Sequence, residues 1–175
     1  MWRLKMDSGN IGFVLLCAAF VFVMTPGLAM FYGGLVRKKN VVNTMMTSIF
    51  IIGVGIVMWV LFGYSLSFAP SGNAFIGDFR WLGLEGVSLT EGYTDDASIP
   101  NMVFSAFQMM FAVITPALIT GAVAGRMKFK SIFVFTIFWS LIVYYPLAHM
   151  VWGQGGLLGA DGIGALDFAG GDVVH

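Results

Sequence analysis

Four long apolar runs, separated by short polar or glycine-rich segments, dominate the hydrophobic pattern of this chain. They cover about residues 11–36, 42–68, 99–125 and 131–152. Each is long enough for a helix to cross a bilayer, which takes about 20 residues. The runs are continuous rather than alternating, and in hydrocarbon a helix satisfies its own backbone groups. The expected fold class is therefore all-α, a polytopic membrane helical bundle. Breakers inside the runs do not end them. Pro26 lies mid-depth in the first run and Pro116 in the third, and membrane helices tolerate proline where neighbours satisfy the freed carbonyl. Residues 1–10 form a polar lead, and residues 69–98 form a glycine-rich polar connection.

The last ten residues, LDFAGGDVVH, follow a glycine-rich loop at 153–165 and resemble the outer half of a fifth span. Asp167 is expected to open that helix as its N-cap, where an acid accepts free N–H groups and meets the positive dipole end. Gly170 and Gly171 would permit close helix approach. At about 1.5 Å per residue, His175 would lie roughly 12 Å along the axis from Asp167, approaching the midplane. An ionisable residue at that depth is a functional-site candidate. A histidine hydrogen-bonded to a neighbouring helix is the alternative.

Composition sharpens the class. The 175 residues are 58% hydrophobic and 10% charged, whereas soluble domains carry about a quarter charged residues. Of nine Lys and Arg residues, six flank two loops: Arg37, Lys38, Lys39, Arg126, Lys128 and Lys130. The positive-inside rule puts those loops in the cytoplasm and leaves Arg3, Lys5 and Arg80 outside. The N-terminus and the 69–98 loop are then extracytoplasmic, as is every acid, Asp7 and Asp161 included. Arg3 and Lys5 precede an apolar run too long for a signal peptide, so a retained span is expected. One cysteine, Cys17, excludes an internal disulfide framework. The basic residues form short clusters rather than a face, so nucleic acid is not an expected partner. His149 and His175 have no ligand partners at metal spacing, and neither metal nor cofactor is expected.

Polar and aromatic residues at depth mark a candidate path. Gln108, Phe111 and Thr115 share one face of the third span, and Phe104, Phe107 and Phe111 form a stripe along it. A buried amide such as that of Gln108 needs a partner or water. Tyr144, Tyr145, His149 and Trp152 crowd the outer end of the fourth span. Two readings stay open there: an aromatic belt at the membrane interface, or a cation-binding vestibule, for which tryptophan offers the best π face.

Four co-linear motifs carry a family resemblance: MTPGLAMFYGGLVRKKN at 24–40, FQMMFAVITPALITGAVAGR at 107–126, YPLAHMVW at 145–152 and DFAGGDVVH at 167–175. Together they resemble the Amt/MEP/Rh family of ammonium transporters, on the Amt side, over about residues 11–175. The resemblance implies an eleven-span inverted-repeat protomer, of which this chain is the first half: four spans plus the start of a fifth. It implies a homotrimer in a cell inner or plasma membrane, carrying ammonium or ammonia. Trp152 would belong to the outer recruitment site, Phe111 to the outer gate with Gln108 one turn before it, and His175 to a pair of pore histidines. Asp167 would shape the recruitment site without touching ammonium. PII-type signalling proteins often control the family at the cytoplasmic face.

Asp172 departs from the family pattern, which often carries threonine there. An ionised carboxylate beside a histidine favours its charged form, which runs against a neutral pore imidazole; a polar contact elsewhere is the alternative. Half an inverted repeat cannot enclose a site formed between repeats, so these 175 residues alone are expected not to conduct. The other functional class kept open is an ammonium sensor, the same fold coupled to a signalling domain.

Overall fold

In the computed structural model, which describes residues 6–70, 73–160 and 162–175, the four apolar runs are four helices. Their bounds are Ser8–Leu35, Lys38–Phe68, Asn101–Val123 and Phe129–Trp152. Arg3, Lys5 and Asp161, used above for orientation, lie outside the described residues. The first helix starts earlier than the apolar run because Asp7 caps it, its carboxylate accepting the Asn10 N–H at 2.8 Å. Pro26 and Pro116 sit inside continuous helices.

Two helices carry a feature the hydrophobic pattern does not show. The second widens into a π-turn at Trp59–Gly63, and the fourth does so at Ser140–Tyr144. The second and fourth helices pack together just beyond the two widened turns. A Cβ on Gly63 would lie only 2.7 Å from Tyr145 Cζ, so glycine is what lets the ring approach. Pro146, just beyond the second π-turn, has no N–H to give the preceding turn, which suits a local rewinding there.

Between these helices lies an aromatic core of Trp59, Tyr64, Phe68, Tyr144 and Tyr145, each at most 1% exposed. Burial corrects the belt reading of Tyr144 and Tyr145: both rings point inward against Trp59 and Trp139. Polar ties hold the third helix to this core. The Trp59 indole N–H donates to Ser105 O at 3.2 Å, and the Tyr64 hydroxyl donates to Asn101 Oδ1. The first helix packs on the second and third. Its Tyr32 hydroxyl donates to Leu118 O at 3.0 Å, and its outer face leaves Phe13, Phe20 and Met30 exposed.

The 69–98 connection is a folded collar rather than a slack link. Its first half returns to the second helix: Ser65 Oγ donates to Asp78 O at 2.7 Å, and Trp81 stacks on Tyr64 at 5.3 Å and 15°. Its second half is pinned to the starts of two other helices. Asp7 N donates to Ser98 O at 2.9 Å, and Asn101 N donates to Glu91 O at 2.8 Å.

The closing stretch departs from expectation. Residues 166–175 form turns, not a helix, so the axial separation reckoned for Asp167 and His175 does not apply. Ala169 and Gly170 are consecutive left-handed residues, with φ of 54° and 77°, a conformation that breaks a right-handed helix. Gly170 therefore serves backbone conformation here, not close helix approach.

Candidate functional site

Asp167 joins two elements of the candidate site. Its Oδ2 accepts the Trp152 indole N–H at 2.6 Å, and its Oδ1 accepts the Asp172 backbone N–H at 2.8 Å. The expected cap is thus replaced by a bracket: the carboxylate joins the end of the fourth helix to the closing turns. Both bonds carry the strength of an ionised acceptor, and together they fix the indole plane.

Trp152 borders a cavity of about 570 Å³ beneath the collar. Gln108 and Phe104 of the third helix share its wall with Tyr93, Asp96 and Ser98 of the collar. Gln108 Oε1 is buried without a hydrogen-bond partner, an acceptor whose burial is costly unless something donates to it. Tyr93 stacks on Phe104 at 4.8 Å and 7°. Its hydroxyl accepts the Gln154 backbone N–H at 3.0 Å, and its carbonyl accepts the Gln154 side-chain N–H at 2.8 Å. Burial pushes the Tyr93 hydroxyl up to about 12, against the opposing effect of the Gln154 bond.

Phe111 and His175 border a different, apolar cavity of about 290 Å³, together with Phe31, Leu118 and Val174. Phe111 meets Phe107 edge to face at 5.0 Å. His175 also borders a cavity of about 430 Å³ that takes in Asp172 and Thr115. The five candidate residues therefore fall into two groups: Trp152, Gln108 and Asp167 near the collar, Phe111 and His175 beside the apolar cavity. Asp172 shares a cavity wall with His175 although no helix aligns them.

His149 belongs to neither group. It is fully buried, with Nδ1 3.2 Å from Ser67 O and Nε2 3.0 Å from Asn73 O. The ring ties the fourth helix to the end of the second and the start of the collar, which removes it from the vestibule reading. Sequence reasoning missed Tyr93 and Asp96 as wall residues; a tyrosine within a Gly- and Asp-rich loop was the only signal for either. Among the described residues, no three His, Cys, Asp or Glu side chains gather as a metal site.

Similarity to known proteins assigns the chain to a family. The family model of the Ammonium Transporter Family matches residues 12–175. An ammonium transporter of Bacillus subtilis is 51% identical over 170 residues, covering 97% of this chain and 41% of that protein. Among solved structures, Candida albicans Mep2 superposes with a TM-score of 0.86 at 32% identity, over 98% of this chain and 37% of Mep2. A structure named Sensor Amt Protein gives 0.81 at 27% identity, over 95% of this chain and 40% of that one. The chain thus spans about two fifths of the length of these relatives. With a family model running from the first helix to the last residue, and an all-helical fold shared with Mep2, the chain belongs to the Ammonium Transporter Family.

Proposed function

We propose that the whole protein carries ammonium or ammonia across a cell inner or plasma membrane, and that this chain supplies the N-terminal part of its path. The Trp152–Asp167 bond carries this reading, because it fixes a tryptophan π face on the wall of an outer cavity. Ammonium is drawn to that face by cation–π attraction, worth about 2 kcal/mol or more where water is excluded. Gln108 offers an acceptor for one ammonium N–H. The crossed rings of Phe107 and Phe111 then separate the wet vestibule from an apolar cavity, where a bare ion is expensive. His175 stands beyond them with ring nitrogens able to take a proton or an N–H bond. Ammonium is held apart from alkali cations by donating hydrogen bonds and by having a proton to give.

The N-terminus lies outside in this reading, with Arg37–Lys39 and Arg126–Lys130 facing the cytoplasm. A homotrimer and a PII-type regulator at that face follow from the family resemblance alone. The coverage of about two fifths of the relatives' length supports an eleven-span whole. These 175 residues alone are proposed not to conduct, since half an inverted repeat cannot enclose a site formed between repeats.

Methylammonium uptake by the whole protein tests the assignment. Trp152→Leu should raise KM severalfold, and His175→Ala should abolish saturable uptake of the protonated substrate. Phe111→Ala should alter the maximal rate with KM little changed. Ordinary uptake in all three variants would remove the path from these residues. The resemblance to Sensor Amt Protein supports a second reading, in which occupancy of the same vestibule signals. Ammonium binding without flux in the wild-type protein would select it.

A further inference from the structure

The outer cavity has a wall that none of the four family motifs supplies: the collar turn around Asp96. Asp96 is exposed on that wall. Among the described residues it makes neither an ion pair nor a side-chain hydrogen bond; the ion pair found there is Arg80 with Asp78, at 2.8 Å. Asp96 and Trp152 border the same cavity, so an unpaired acid on that wall can act on a cation before the indole does.

The turn is held, not loose. On one side Glu91 O accepts Asn101 N at 2.8 Å, and on the other Ser98 O accepts Asp7 N at 2.9 Å. Ser98 Oγ also accepts the Asn10 side-chain N–H at 2.8 Å. Between these anchors, Ala97 N donates to Thr94 O at 3.0 Å, closing the turn that carries Asp96. Inside it, a Cβ on Gly92 would lie 2.4 Å from Ala97 Cβ, so the turn has no room to relax inward. Tyr93, stacked on Phe104 and bonded to Gln154, fixes the turn against the third and fourth helices. Asp95, the adjacent acid, is equally exposed and equally unpaired, but it does not border the cavity. The two neighbours carry the same charge and differ in whether they face the path.

We propose that Asp96 is a capture residue of the vestibule, a carboxylate on a held turn that concentrates ammonium and other small monovalent cations ahead of Trp152. The proposal rests on the transport reading of the same cavity. A single fixed charge within several ångströms of a hydrated site raises local cation concentration about threefold. The effect belongs to capture and not to passage, so it appears in KM and leaves the maximal rate alone. It also weakens as salt screens the field.

Methylammonium uptake by the whole protein, measured against substrate concentration at low and high ionic strength, tests this. Asp96→Asn should raise KM about threefold with the maximal rate unchanged, and should flatten the salt dependence of KM. Asp95→Asn should match the wild type in both, and Asp96→Glu should keep the low KM. An unchanged KM in Asp96→Asn, or equal rises in the two Asn variants, overturns the proposal while leaving transport standing. Absence of uptake by the wild-type protein overturns the transport reading. In that event, titration calorimetry of ammonium against purified wild-type and Asp96→Asn protein decides for Asp96: weaker binding in the variant supports it, and equal binding overturns it.

Discussion

Asp167 is one side chain doing two structural jobs, and its substitutions separate them. Its two oxygens accept one N–H each, from Trp152 and from Asp172. In Asp167→Ala both donors lose their acceptor, at a cost of about 2–4 kcal/mol for charge-assisted bonds. In Asp167→Asn one oxygen remains, so one donor keeps a partner and the loss should be about half as large. Thermal unfolding of the detergent-solubilised protein should therefore rank wild type, Asn, Ala in falling stability; Asn equal to Ala would mean that only one of the bonds counts. The acid, the indole and the histidine were all visible in the sequence as candidates. Their pairing was not. An acid before a run of small residues reads as a helix cap, and the choice of Trp152 instead depends on a glycine-rich loop whose path no local pattern encodes. His149 shows the converse failure, since its position beside Trp152 in sequence left a belt or a vestibule open and its ring turns into the core.

At the scale of elements, hydrophobic run length located all four helices to within a few residues, because bilayer thickness sets a length that composition must meet. It was silent on the π-turns at Trp59–Gly63 and Ser140–Tyr144. Tyr144 closes the second of these turns and Tyr145 follows it, and both rings lie in the core instead of at the interface. The contact between Gly63 and Tyr145 is where this is most exposed to test. In Gly63→Ala the new methyl must displace a ring that is 1% exposed and has nowhere to go. Overpacking of this kind costs about 1–3 kcal/mol. Tyr145→Leu should also destabilise, by removing a core ring, but the double variant should be more stable than the sum of the two losses predicts. That non-additivity identifies the contact; simple addition of the two losses would mean that the backbone, and not the ring, meets the new methyl.

Across the whole molecule, the four helices present apolar faces outward while the collar closes one end with polar ties to the first, second, third and fourth helices. The collar was read from sequence only as a polar connection, since its order comes from partners that lie far apart along the chain. Tyr93 reports on whether that order holds. Burial pushes its hydroxyl up to about 12 in the folded protein, against 10.0 for an unperturbed tyrosine. The folded state therefore keeps a proton that the unfolded chain gives up first. This contribution to stability is complete below pH 10 and is lost as pH rises from 10 to 12. Tyr93→Phe removes the titration and also the acceptor for the Gln154 N–H, so it should lower stability at pH 9 by about 1 kcal/mol. The deficit should close and then reverse between pH 10 and 12, as the wild type loses about 2 kcal/mol that the variant never had. Chemical unfolding in detergent across that range measures it, with all other tyrosines common to both proteins. A deficit that stays constant through pH 12 would place the Tyr93 hydroxyl in water, and the collar would then not be seated on the third and fourth helices as described.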